Sequence, residues 1–197
     1  MKKILILFAH PKFEKSRTNK IIIDQVKGLE HVTVQDLYEE YPSFHIDVDK
    51  EQALLMQHDI IIWQHPIYWY SCPPLLKMWI DEVLEYGWAY GAEGNALKNK
   101  TIFNAITTGG TRWKYDPAGV HSYSIKEFLR PFEQTAKICG MKYLPAYAVM
   151  GVHQLTDKEI EAEAIQYVNL LQRLQRNEVK VQFDDVEYLN EIQALKK

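Results

Sequence analysis

Two uninterrupted apolar runs constrain this chain most: Ile4-Leu5-Ile6-Leu7-Phe8 and Ile60-Ile61-Ile62-Trp63. Neither alternates apolar with polar residues, so neither suits a strand with one wet face. Such runs suit strands buried on both faces, as in a parallel sheet covered by helices. The remaining pattern alternates accordingly. Ser16 or Thr18 can cap a helix that carries Ile22, Ile23, Val26 and Leu29 at helical spacing. Residues 32–37 are predicted as a strand and 49–57 as a helix. Pro73 and Pro74 precede a helix over 75–84, where proline is tolerated in the first turn. A strand follows over 101–107. Ser124 can cap a helix over 125–138, which Gly140 can end. Residues 143–150 read as a fifth strand, placed at an edge because Pro145 interrupts it. Thr156 and Glu159 form a capping box for a helix reaching Leu174. This alternation predicts one doubly wound α/β domain over residues 1–176, with a five-stranded parallel sheet. The tail, 177–197, is polar with apolar anchors at Val179, Val181, Phe183, Leu189, Ile192 and Leu195, and a short helix is expected near its end.

Composition excludes several classes. A net charge of −3 over 197 residues offers no basic face for nucleic acid. The only cysteines, Cys72 and Cys139, form no CxxC pair, as expected of free thiols in a reducing compartment. No metal site is expected: His10 and His65 end neighbouring strands, but no acidic or sulfur ligand follows at suitable spacing. The first apolar run is too short for a signal peptide, and no segment is long and apolar enough to span a bilayer, so a cytoplasmic protein is expected.

Ligands of open α/β sheets bind beyond the carboxyl ends of the strands, where strand order reverses. Three loops leave such ends and converge in the order 2-1-3-4-5. The first, His10 to Asn19, joins a buried strand to a helix N-terminus, which favours an anion. Ser16, Thr18 and Asn19 add side-chain donors and Arg17 adds charge, so a phosphate fits. The same residues could also do no more than cap a helix. No GxGxxG or Walker lysine motif is present. The second loop runs Pro66-Ile67-Tyr68-Trp69-Tyr70. Bulky aromatics there offer a platform for a flat, hydrogen-bonding ring; otherwise they pack under the following helix. The third begins Thr107-Thr108-Gly109-Gly110, where paired glycines let backbone amides approach a ligand. Tyr115 and His121 follow in that loop. Amides, a phenol and an imidazole suit the negative charge of a reduced flavin.

Several words of the sequence recur in one family. They are Ala9-His10-Pro11, Ser16-x-x-Asn19, Asp36-Leu37-Tyr38, Trp63-Gln64-His65-Pro66 leading to Trp69-Tyr70, Pro73-Pro74-Leu75-Leu76-Lys77, Gly87-Trp88-Ala89-Tyr90-Gly91 and Thr107-Thr108-Gly109-Gly110. On these the chain resembles the NAD(P)H:quinone oxidoreductases of the flavodoxin-like fold. Within that group it is similar to the small bacterial branch that includes general stress protein 14 and the ancillary subunits of glutathione-gated potassium efflux systems. The likeness runs from Lys2 to Leu174 and does not reach the tail.

The resemblance implies a three-layer flavodoxin-like sandwich and a flavin. Its phosphate would sit on Ser16 to Asn19 with His10 beside it, its ring against Pro66, Ile67, Tyr68 and Trp69, and its pyrimidine edge at Thr107 to Gly110. FMN is favoured over FAD, because the chain lacks the long carboxyl-terminal part of the larger quinone reductases. NAD(P)H would be the reductant, and Arg112 and Lys114 are cations that could meet a 2′-phosphate. The resemblance also implies a homodimer with sites at its interface. Tyr115 and His121 match in type and spacing the pair that assists hydride transfer in the larger enzymes. Trp69, Trp88 and Tyr90 would shape the acceptor pocket. The implied reaction is ping-pong, two-electron reduction of a quinone. The alternatives are an azo- or nitroreductase, and an ancillary subunit that regulates a membrane potassium channel.

Overall fold

The computed structural model describes residues 1–193. The elements run β1 (Ile4–Phe8), α1 (Arg17–Val26), β2 (Val32–Asp36), α2 (Leu37–Glu40), α3 (Val48–Met56), β3 (Ile60–Pro66), α4 (Pro74–Val83) and β4 (Thr101–Thr108). They continue α5 (Ile125–Phe128), α6 (Arg130–Ile138), β5 (Lys142–Tyr143), β6 (Tyr147–Met150) and α7 (Asp157–Gln175). Every strand pairing is parallel, in the order β2-β1-β3-β4-β5, with β6 also on β4. This is the flavodoxin-like order the sequence predicts.

All residues of β1 and β3 are buried, as their unbroken apolar runs require. Their side chains point alternately to two cores. Leu5, Leu7, Ile61 and Trp63 meet α4 and α6 on one face. Ile4, Ile6, Phe8, Ile60 and Ile62 meet α1 and α7 on the other. Each such side chain contributes about 1.5–3 kcal/mol on burial, so the sheet centre is the most strongly held part of the molecule.

Two predicted elements are each split by a proline. The edge strand breaks between β5 and β6 because Pro145 has no N–H to give β4; Leu144 N still donates to Ile102 O (2.9 Å) just before it. The helix predicted over 125–138 breaks at Leu129, and Pro131 then occupies the first turn of α6.

Glu51 on α3 is a fully buried carboxylate that no sequence pattern marks. It accepts from Gln35 Nε2 (2.8 Å), Tyr41 Oη (2.7 Å) and Trp79 Nε1 (2.8 Å), tying β2 and α4 to α3. Beyond α7, Val179, Val181, Leu189 and Ile192 join the core under α1 and α7, and Tyr188 joins the other core. A 3-10 turn forms at Leu189–Gln193; the predicted anchor Leu195 lies outside the described residues. Among the described residues, no helix is long and apolar enough to cross a membrane.

Candidate functional site

The strand order reverses between β1 and β3, and a cleft of about 240 Å³ opens beyond their carboxyl ends. It is lined by His10, Lys12, Lys15, Ser16, Thr18 and Asn19 from the first loop, Pro66, Ile67 and Tyr68 from the second, and Thr107, Thr108 and Gly109 from the third. Val152 and His153, from the loop after β6, complete it. Those two were missed in the sequence, although the rule that ligands gather at carboxyl strand ends applies to β6 as well.

The first loop gives the cleft features that suit an anion. Ser16 is the N-cap of α1, and its Oγ accepts from Asn19 N (3.3 Å) and Asn19 Nδ2 (3.0 Å). The first N–H groups of the helix, at Arg17 and Thr18, therefore remain for a ligand. Asn19 is only 2% exposed, and its Nδ2 also donates to Thr107 Oγ1 (3.2 Å), which ties the first loop to the third. Its Oδ1 is buried without a partner, so a donor is wanted there. His10 Nδ1 accepts from Lys12 N (3.2 Å), so the neutral ring carries its proton on Nε2. Burial holds the His10 pKa below its ordinary value, against the opposing pull of its own backbone and of Glu14.

Arg17 corrects the expectation that it charges this site. Its guanidinium turns to the start of α7, bonding Val152 O (3.3 Å), Leu155 O and Asp157 (3.3 Å). The cations at the cleft are Lys12 and Lys15.

The rim is aromatic. Tyr68 and Ser71 exchange both backbone hydrogen bonds (2.9 and 3.0 Å) around Trp69 and Tyr70, whose φ angles are +46° and +64°. Two positive φ values make this a mirror-image turn, normally built from Asn-Gly. Bulky residues are strained there, and such strain gathers at functional sites. The turn leaves Trp69 93% exposed and outside the cleft's lining, contrary to the expectation that it backs a bound ring. Tyr70 stacks on Phe128 (4.9 Å) and its hydroxyl lies 3.5 Å from His121 Nδ1.

The structure brings Tyr115 and His121 together: their rings stack at 4.6 Å and 25°. Tyr115 packs on Gly110 so closely that a Cβ there would lie 2.9 Å from its ring. This contact is the reason glycine is needed at 110. Burial raises the phenol pKa, opposed by Thr108 and the Gly110 backbone. A Cβ on Gly109 would likewise lie 3.2 Å from the His153 ring.

Trp88 and Tyr90 lie elsewhere. α4 runs back from the cleft, and the connection that holds them returns from its far end to the start of β4. Both pack on the α4 core and neither lines the cleft. Within one chain they shape no acceptor pocket, contrary to expectation. Arg112 is likewise engaged, by Glu187 and Glu191 of the tail. Among the described residues, no three His, Cys, Asp or Glu side chains cluster as a metal site would require.

Residues 2–171 match the model of a family with a flavodoxin-like fold. The chain belongs to this family. The match stops before the tail. Among its relatives, this flavodoxin-like chain is 41% identical to the NAD(P)H oxidoreductase YdeQ of Bacillus subtilis, over 98% of this chain and 96% of that one. It is 44% identical to the ancillary protein KefF of the glutathione-regulated potassium-efflux system of Klebsiella aerogenes, over 83% and 92%. The crystal structure of general stress protein 14 from Treponema denticola in complex with FMN superposes with a TM-score of 0.84 at 44% identity, covering 88% of this chain and 99% of that one. An NADPH-quinone reductase from P. pentosaceus superposes with a TM-score of 0.78 at 31% identity, covering 88% and 97%.

Proposed function

We propose that this flavodoxin-like chain is an NAD(P)H oxidoreductase that uses FMN to reduce quinones, or related electrophiles, by two-electron transfer. The observation that carries the reading is the stacked Tyr115–His121 pair, set against Gly110 beside an anion-binding cleft. Relatives named NAD(P)H oxidoreductase and quinone reductase, and one solved with FMN, support it.

The cleft fits a flavin mononucleotide. The open N–H groups of α1, with Ser16, Thr18, Asn19, His10, Lys12 and Lys15, suit its phosphate. The backbones of Pro66 to Tyr68 and Thr107 to Gly110 suit its ring edges. When bound, the flavin supplies hydride transfer between NAD(P)H and the acceptor. The protein's part is electrostatic and positional. Amides near Gly109 and Gly110 and the Tyr115 hydroxyl would donate toward negative charge on a flavin held in the cleft. His121, stacked on Tyr115, holds or delivers the balancing proton. Reductant and acceptor would take turns at the same cleft, which gives ping-pong kinetics.

Two experiments test this. Protein purified with FMN is expected to show flavin absorption that NADPH bleaches and menadione restores; a protein that binds no FMN sinks the reading. The Tyr115→Phe/His121→Gln variant is expected to keep FMN but reduce menadione about a hundredfold more slowly in stopped flow. Reduction at the wild-type rate would remove the pair from the mechanism.

The likeness to KefF favours a second reading, in which the same fold docks on a membrane potassium channel. Co-purification of a reductase-dead variant with a channel subunit, with channel activation intact, would support it.

A further inference from the structure

We infer that the tail beyond α7 is a brace that holds the Tyr115–His121 loop in its working geometry, with Arg112 as the positioning residue it grips; this rests on the role proposed for that pair. Arg112 opens the 3-10 turn that Tyr115 closes. Its guanidinium bonds Glu187 and Glu191 (2.7 Å to the latter) and lies 4.9 Å from the centroid of the Tyr188 ring. The far end of the loop is held in the same way. Lys126, in α5, bonds Asp184 (2.6 Å) and Phe183 O (3.1 Å) and sits 4.3 Å over the Phe183 ring. Phe128 of the same short helix touches Tyr70 and Tyr115. The tail therefore grips both ends of the segment that carries the pair, and nothing it grips lies in the cleft itself.

The tail can brace because it is fixed on the sheet. Leu189 N donates to Ala146 O (2.8 Å), and the Asn190 side chain bonds both Ala148 N (2.9 Å) and Ala148 O (3.2 Å). Tyr188, Leu189 and Ile192 are buried beside these bonds. A single exposed ion pair would stabilise little. Here two carboxylates and a ring converge on one guanidinium, and a second cation–carboxylate–ring cluster follows. A planar guanidinium shared by two carboxylates and set over a ring is held in place more firmly than one in an isolated pair.

The test uses the full chain with FMN added, and two variants, Glu187→Gln/Glu191→Gln and Arg112→Gln. Amide exchange over residues 111–124 is expected to rise about fivefold in each, with kcat for menadione falling by a similar factor. FMN affinity should stay within about twofold, because no braced residue lines the cleft. High salt should shift wild type toward the variants and change the variants less, because only the Lys126–Asp184 pair of the brace is left in them to screen. Unchanged exchange over 111–124 overturns the brace. So does raised exchange with wild-type kcat, or a loss of FMN affinity together with raised exchange throughout the chain. A wild-type protein inert toward quinones would sink the functional reading instead, and the exchange readout would then decide the brace alone.

Discussion

His65 sits on β3 with no exposed surface, and burial pushes its imidazole pKa down to about 4. Its hydrogen bonds explain how a neutral ring is held there. Nδ1 lies 3.0 Å from Pro66 O, and Nε2 lies 2.9 Å from Asn104 Nδ2. Asn104 can only donate through that nitrogen, so Nε2 accepts and the proton sits on Nδ1. Tyr143 Oη donates in turn to Asn104 Oδ1, and Phe132 stacks on the imidazole at 5.5 Å. The chain of bonds ends on the carbonyl of Pro66, a residue of the cleft. The consequence for stability has a definite sign. Below pH 6.5 the unfolded state takes up a proton that the folded ring refuses, so stability is complete above 6.5 and falls as pH drops toward 4. The loss reaches about 3 kcal/mol for this one group. Urea denaturation from pH 7 to 4 should show that slope in wild type and its reduction in His65→Gln. Parallel losses in the two proteins would mean that the ring is not held neutral.

At the scale of elements, the mirror-image turn at Trp69 and Tyr70 sets conformation against side-chain type. A non-glycine residue in the left-handed region costs roughly 1–2 kcal/mol, and asparagine bears it best. Trp69 is almost wholly exposed and loses little packing on replacement. Trp69→Asn is therefore expected to raise stability by about 1 kcal/mol while raising KM for the quinone, read by thermal unfolding and steady-state rates. A variant no more stable than wild type would show the turn to be unstrained. The same turn marks a limit of legibility. Trp-Tyr is no turn signal, so the sequence showed aromatics at a strand end but not which way they would face. The buried runs of β1 and β3, by contrast, left little choice, because only a doubly covered parallel strand uses them fully. Ser16 was legible as an N-cap, and Tyr115 with His121 as a pair within one loop. Arg17 was not, because a long side chain at a helix start can turn either to a ligand or, as here, to a neighbouring helix N-terminus with its own aspartate. Glu51 was hidden by its neighbours, since α3 reads as an ordinary amphipathic helix until Tyr41 and Trp79 close over it.

At the scale of the whole molecule, the position of Trp88 and Tyr90 decides what a second copy must do. Packed at the far end of α4, they reach no cleft of their own chain. If they shape the acceptor pocket, a partner presents them, and the two sites of a dimer lie at its interface. Analytical ultracentrifugation is then expected to give about 46 kDa, twice the 23.1 kDa chain. A sharper test asks whether the residues act across the interface. Trp88→Ala supplies an intact Tyr115–His121 pair but a defective wall; Tyr115→Phe/His121→Gln supplies the wall but a defective pair. Mixed as unfolded chains and refolded together, half the dimers should be hybrids, each with one site intact in both respects. Menadione reduction should then recover to about one quarter of wild type, from two parents that are each impaired. A mixture no more active than the mean of its parents would show that Trp88 does not act across an interface, and the partner-supplied wall would be wrong.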